Sequence, residues 1–189
     1  MYTVYADITL VCWIVFYLYW AKSSSNQKET AQKSGIKDIA PYRIFWTLSF
    51  VFLAIPGLFN LASVFLPIHS AVFGVISDLV SLLGLVICIL ARRELAGNWA
   101  MQLDLKKDHQ IIKTGPYSLM RHPIYTGFLL LFLGSALALG RVGGFVGLAL
   151  LLIGTFMRIK NEETLLTKTF GKEYGEYKKH VKSLIPYVW

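Results

Sequence analysis

Long apolar runs alternate with short polar stretches along the whole chain, and that alternation sets the elements. A helix needs about 20 mostly apolar residues to cross a bilayer. Five segments reach or approach that length: Tyr2 to Ala21, Ile44 to Leu66, Ala71 to Leu90 with room to run on to Leu95, Pro123 to Leu139, and Val142 to Met157. The last two are short, and only Gly140-Arg141 lies between them, so they are predicted to form a helical hairpin. The pattern predicts an all-α, polytopic membrane protein with about five transmembrane helices. It divides into an N-terminal three-helix membrane region, 1–95, and a polar-rich core with the hairpin and a C-terminal segment, 96–189.

Charge adds an orientation. The linker from Lys22 to Arg43 carries five basic residues, Arg92 to Arg121 carries six, and Arg158 to the end carries seven. The two other connections, Pro67 to Ser70 and Gly140-Arg141, hold one between them, so 18 of the 19 Lys and Arg fall on one side. The positive-inside rule then places the N-terminus outside and the C-terminus in the cytoplasm. The same distribution accounts for the net charge of +8. The chain shows no basic stripe or motif of a nucleic-acid module, so no nucleic-acid partner is expected. Only 16% of residues are charged and 55% are hydrophobic, which a soluble domain of 189 residues could not bury. Met1 to Trp20 has no basic n-region and reads as a retained anchor.

Within the segments, Pro56-Gly57 should kink the second helix, where neighbouring helices can satisfy the freed carbonyl. The spacings Gly140/Gly144 and Gly143/Gly147 should let the fourth and fifth helices approach closely. Asp78 lies toward the outer end of the third segment and is expected at the interface, because an acid at the bilayer centre is costly. Cys12 and Cys88 sit in apolar runs and read as packing residues. His69, His109, His122 and His180 show no ligand spacing, so no metal site is expected. Lys22 to Ala40 reads as a polar cytoplasmic loop.

Candidate chemistry concentrates in Leu95 to Tyr125 and in Arg158 to Trp189. A tight hairpin brings their ends together, so Arg121-His122 should neighbour Arg158, Glu162 and Glu163. Pro123 suits the first turn of a helix, which puts His122 at or beside the N-cap. The start of that helix offers free N–H groups and a positive dipole end, a place for a carboxylate. Arg158 and Glu162 are four apart and share a face, whereas adjacent Glu162 and Glu163 cannot point the same way. A guanidinium suits an anionic group, and a carboxylate suits hydroxyls or an ammonium. On spacing alone, the same residues also fit an ordinary cluster anchoring helix ends at the membrane boundary, with His122 a simple cap. The chain carries no Walker loop, serine elbow or Gly-x-Gly-x-x-Gly fingerprint.

Read in order, the motifs carry a resemblance. They are Leu95-Ala96-Gly97-Asn98-Trp99, Gln102, His109-Gln110-Ile111-Ile112, Gly115-Pro116-Tyr117, Arg121-His122-Pro123-Ile124-Tyr125-Thr126-Gly127, Glu162-Glu163, Phe170-Gly171-Lys172-Glu173-Tyr174 with Tyr177, and Leu184-Ile185-Pro186. This half of the chain resembles the isoprenylcysteine carboxyl methyltransferases and their bacterial and archaeal relatives, near the phospholipid methyltransferases. The resemblance implies an S-adenosylmethionine-dependent enzyme acting on a lipid-like or prenylcysteine-type carboxylate at the cytoplasmic membrane face. It implies that Gln102, His109, Gln110, Ile111, Ile112, Tyr117, His122, Pro123, Ile124, Tyr125 and Glu162 contact the cofactor. It implies that Arg158 contacts the substrate, with Arg158 and Glu162 carrying catalysis. Membrane lipids surround such a protein, in the inner membrane of a bacterium or the endoplasmic reticulum of a eukaryote.

Three other readings share these residues. A phospholipid N-methyltransferase has similar motifs, and its amine acceptor would need a proton sink such as Glu162 or Glu163. A sterol-reductase-like enzyme using NADPH has a similar ending to Ile185-Pro186-Tyr187, but Ile124 and Phe128 stand where such enzymes usually carry an asparagine and an acid. A non-catalytic scaffold would bind no cofactor.

Overall fold

The computed structural model describes residues 3–24, 28–32, 35–55, 70–99, 105–106 and 110–188. Five long helices dominate: α1 (Thr3–Ser24), α2 (Ile36–Ala54), α3 (Ala71–Leu95), α4 (Pro123–Leu139) and α5 (Val142–Phe170). A short α6 (Lys172–His180) follows, and 3₁₀ turns at Ala96–Asn98 and Gly115–Ser118 lead from α3 toward α4. The all-α expectation needs one addition. Strand β1 (Thr30–Gln32) pairs antiparallel with β2 (Leu105–Lys106), tying two polar linkers together.

Among the described residues, two helices, α3 with its 3₁₀ extension and α5, are long and apolar enough to cross a membrane, and the apolar stretches Ile39–Ala54 and Pro123–Leu139 are shorter. The helices leave large apolar side chains bare, including Leu18 (67% exposed) on α1 and Val72 (66%) on α3, as lipid-facing surfaces do.

Segment boundaries match at the hairpin and shift elsewhere. Helix α4 covers the predicted residues, and Gly140, in the left-handed region at φ 58°, makes the C-cap. Helix α5 runs on to Phe170, well past Met157. At 29 residues it is roughly 43 Å long, against a hydrocarbon core of about 30 Å, so its polar end stands clear of the apolar span. Helix α2 begins eight residues before Ile44, within the stretch read as a polar loop, with Pro41 in its second turn. The described part ends at Ala54, and Pro56-Gly57 lies outside the described residues.

Close packing explains which helices touch. Helix α3 packs along α4, α2 along α5, and α1 against α3 and α4. Gly84 and Gly127 face each other: a Cβ on Gly84 would come within 2.5 Å of the Gly127 carbonyl oxygen. A Cβ on Gly134 would lie 2.7 Å from the Ser77 carbonyl. In the hairpin, Gly144 lies against Ala136, as its spacing predicts, whereas Gly147 accommodates Phe132 and the Ser49 carbonyl of α2. Asp78 is buried at 8% exposure, within the polar strip Ser77-Asp78-Ser81 near the start of α3.

Candidate active site

The start of α4 is built by its neighbours. His122 is the N-cap residue, but its side chain makes no cap bond. Its backbone N–H instead donates to Ser183 O at 3.0 Å, the Arg121 N–H donates to Lys182 O at 2.8 Å, and the Thr126 hydroxyl donates to Leu184 O at 2.8 Å. The segment after α6 therefore lies alongside residues 120–126, with Met120 and Lys182 in a parallel bridge. That contact gives Leu184-Ile185-Pro186 a structural reason: it braces the first turn of α4 from below. The Tyr125 and Thr126 N–H groups both donate to the His122 carbonyl, at 3.1 and 3.2 Å. Fewer donors remain free at this helix start than its position predicts.

The two glutamates of α5 separate as adjacency requires. Glu162 turns inward, where its Oε2 accepts from the Tyr125 hydroxyl at 2.6 Å. Glu163 turns to the other side and accepts from Arg121 Nε at 2.9 Å, His122 Nε2 at 3.2 Å and Lys178 Nζ at 2.6 Å. Burial alone would raise the Glu163 pKa. The bonds from His122, Lys178 and Arg121 outweigh it and hold the carboxyl well below the usual carboxylate range.

Arg158 is 6% exposed, which no solvent-facing anchor would be. Its Nη1 donates to the Tyr42 hydroxyl at 2.7 Å and its Nε donates to the Tyr125 hydroxyl. The guanidinium also lies 5.0 Å from the Tyr42 ring centroid and 5.5 Å from that of Trp46. Tyr125 thus links Arg158 to Glu162 in one chain of hydrogen bonds. Its ring stacks on His122 with centroids 5.6 Å apart.

These groups face a cavity of about 580 Å³, a volume usual for a small-molecule site. Gln110, Ile111, Ile112 and Tyr117 line it from the linker side. His122, Ile124 and Tyr125 line it from α4, and Arg158 and Glu162 from α5. Pro123 is fully buried in the first turn of α4 and does not line the cavity. Gln102 and His109 lie outside the described residues. Tyr117 and Tyr177 close the linker side, with the Tyr177 hydroxyl donating to the Tyr117 carbonyl at 2.5 Å. Burial pushes Tyr177 up to about 12, against the opposing pull of Arg121. Burial, then the nearby Glu162 carboxylate, raises Tyr117 well above an ordinary phenol. Both stay neutral near pH 7 and serve as flat faces and hydrogen-bonding groups.

Part of the wall has no counterpart in the motif reading. Helix α1 contributes Phe16, Tyr17 and Trp20, α2 contributes Trp46 and Phe50, and α4 adds Phe128. Tyr42 grips Arg158 from behind. The available signal was the density of aromatics at one end of the first two apolar segments; it points to an interface belt as readily as to a site. Among the described residues no cluster of His, Cys, Asp or Glu could hold a metal ion.

A helical membrane protein with a mainly apolar chamber and a buried Arg–Tyr–Glu chain at its polar end is the class that the fold and site define. Comparison with known proteins narrows it. Residues 72–173, just over half of the chain, match the family model described as phospholipid methyltransferase, and the chain belongs to that family. A protein-S-isoprenylcysteine O-methyltransferase of Schizosaccharomyces pombe is 39% identical over 83 residues, covering 43% of this chain and 35% of that protein. A probable protein-S-isoprenylcysteine O-methyltransferase of Oryza sativa subsp. indica is 37% identical over 89 residues, 47% of each chain. The chain thus spans less than half the length of these curated relatives. A solved eukaryotic intramembrane Ras methyltransferase, isoprenylcysteine carboxyl methyltransferase, superposes with a TM-score of 0.57 at 26% identity, over 78% of this chain and 52% of that one. The resemblance carried by the motifs is borne out.

Proposed function

We propose that this chain is an integral, multi-pass membrane methyltransferase. In this reading it moves a methyl group from S-adenosylmethionine to the carboxylate of a lipid-like, prenylcysteine-type acceptor at the cytoplasmic face. The observation that carries the proposal is the convergence of Arg158, Tyr125 and Glu162 on a chamber whose far wall is aromatic. The donor set fits the cofactor. Glu162 keeps acceptor capacity for ribose hydroxyls or an ammonium, and aromatic faces suit both adenine and a sulfonium. When bound, the cofactor supplies an electrophilic methyl group on that sulfonium.

The chain's own residues do the rest. Arg158, held by Tyr42 and Tyr125, directs its positive charge at the acceptor anion. Arg158 would align the acceptor carboxylate, and Glu162 and Tyr125 would hold the cofactor that would supply it with the methyl group. A carboxylate is already nucleophilic at neutral pH, so no general base is needed. Alignment and exclusion of water then supply the rate. Gln102, His109, Gln110, Ile111, Ile112, Tyr117, His122 and Ile124 complete the proposed cofactor site. Residues 96–189 would carry the cofactor side and the helices of 1–95 the acceptor's tail. Five crossings with the N-terminus outside put the chamber under the cytoplasmic headgroups.

The family model's description favours a second reading, methylation of a phospholipid amine. An amine must lose a proton, and Glu163 is already held by three donors. Glu162 would have to take it.

Purified protein given labelled S-adenosylmethionine with N-acetyl-S-farnesylcysteine or phosphatidylethanolamine separates the two. Label in a base-labile ester of the first supports the proposal, and label on the phospholipid amine supports the second reading. No transfer to either removes both. Arg158→Ala should lower ester formation on the order of 100-fold with S-adenosylhomocysteine binding within about twofold of wild type, and near-normal activity would take Arg158 out of the mechanism.

A further inference from the structure

Arg92 has no part in the methyl-transfer scheme, yet near the end of α3 it is only 2% exposed. Its Nη1 donates to Ala96 O at 2.7 Å and its Nη2 to Ser23 O at 2.6 Å. Its Cζ stands 4.7 Å from the centre of the Trp99 ring. Both acceptors are neutral carbonyls, and the Arg92 Nε is buried without a hydrogen-bond partner. A buried guanidinium so incompletely satisfied is a costly way to finish a helix. What it achieves is a grip on three groups at once: the end of α1, the turn that closes α3, and the ring that follows that turn.

The turn is one that needs holding. Ala96, the C-cap of α3, sits at φ 46° and ψ −122°, where an L side chain is strained and glycine is not. Gly97 comes next, so the strain falls one residue before the residue that would bear it freely. The Arg92 bond is to the carbonyl of the strained residue itself. What surrounds the turn faces the chamber: Leu95, Asn98 and Trp99 line it, and Trp99 meets Trp20 of α1 edge-on at 6.1 Å. Lys28 adds two bonds at 3.1 Å, from its N–H to Gly97 O and from its Nζ to Asn98 Oδ1, but from an exposed position. Tyr117, on the proposed cofactor wall, lies within electrostatic reach of the same guanidinium. We infer that Arg92 is a positioning residue for the cofactor: by holding the Ala96 turn and the face of Trp99, it sets the Asn98–Trp99 wall against which S-adenosylmethionine lies. This rests on the reading of the chamber as a methyltransferase site. Arg92 does not itself line the chamber, so its removal should act on cofactor binding and leave acceptor binding alone.

Calorimetric titration of the detergent-purified full chain with S-adenosylhomocysteine tests this. Arg92→Ala should weaken binding about tenfold. Arg92→Lys, which cannot span two carbonyls and cover the ring together, should weaken it about threefold. Arg93→Ala, which removes the same charge from the exposed neighbour, should bind as wild type does. Adding Ala96→Gly to Arg92→Ala should recover about threefold of the loss, because glycine holds that turn without a clamp. In turnover with N-acetyl-S-farnesylcysteine, the KM for S-adenosylmethionine should rise in Arg92→Ala while the KM for the acceptor stays within about twofold, a split that a general loss of folded protein would not produce. Should Arg92→Ala fail to fold, Arg92→Lys and Ala96→Val carry the test. The second places a β-branched side chain at an exposed position, raises the strain with Arg92 still present, and should weaken binding on the order of threefold. The inference is overturned by wild-type affinity in these Arg92 and Ala96 variants, by an equal rise in both KM values, or by a loss that Ala96→Gly does not reduce. Any of these leaves the methyltransferase reading standing. A wild-type chain that binds no S-adenosylhomocysteine sinks that reading, and the role of Arg92 with it.

Discussion

Glu163 accepts hydrogen bonds from Arg121 beside the start of α4, from His122 at its N-cap and from Lys178 on α6. One carboxylate thus joins three stretches of chain that together frame the polar end of the chamber. Because its folded-state pKa lies well below the ordinary value near 4.3, its contribution to stability is complete above that value. It is lost progressively as pH falls below about 5 toward the folded pKa. Thermal unfolding in detergent should show the wild-type midpoint falling between pH 6 and pH 3.5. Glu163→Gln should cost about 2 kcal/mol at pH 7, because it leaves the buried Arg121 guanidinium poorly paired, or roughly 4–8 °C in a chain of this size. Its acid limb should be flatter than that of wild type. A variant with the wild-type midpoint at pH 7 and an unchanged acid limb would show that Glu163 holds nothing together.

At the scale of elements, the contact between α3 and α4 depends on glycine. Gly84 and Gly127 bring the two backbones so close that a methyl group on either would overlap a carbonyl oxygen of the other. Neither helix can slide to make room, because Gly134 binds the same pair of helices farther along. Gly84→Ala and Gly127→Ala should each destabilise by about 1–3 kcal/mol through overpacking. Gly175→Ala, inside α6 with open space around its Cβ position, should stabilise by about 0.5–1 kcal/mol through reduced backbone freedom. Equilibrium unfolding of the three variants checks the ordering, and equal effects would refute the close-contact argument. This contact also marks what the sequence could reveal. The hairpin was legible because Gly140-Arg141 leaves no other connection, and the meeting of residues 121–125 with 158–163 follows from it. Gly84 and Gly127 were not legible as partners, since glycine is common in membrane helices and no spacing names the helix opposite. Tyr42 was hidden for a related reason. It belongs to a turn of α2 that looks polar and carries Pro41, so the helix could not be traced back far enough to reach Arg158. The length of α5 was missed because hydropathy ends at Met157 while the helix does not.

For the whole molecule, the decisive question is which side of the membrane holds the chamber. The residues that converge there come from the ends of α1 and α5 that carry the basic linkers, from Trp46 and Phe50 of α2, and from the start of α4. Among the described residues, Asp7 on α1 and Arg141 before α5 lie at the opposite ends. The cofactor and the acceptor head would both be charged, and neither crosses a bilayer unaided. A chamber on the outer face would have neither supplied from the cell interior. Under the proposed function, the positive-inside bias and the cofactor's origin would call for the same orientation. Single cysteines at the exposed positions Asp7 and Lys168, introduced after Cys12 and Cys88 are replaced by alanine, put this to measurement in intact cells. An impermeant maleimide should label Asp7→Cys readily and leave Lys168→Cys unlabelled until the membrane is opened. The reverse pattern would place the Arg158–Tyr125–Glu162 chain on the face that S-adenosylmethionine does not reach. The methyltransferase reading would then fail on supply alone, whatever the geometry of the site.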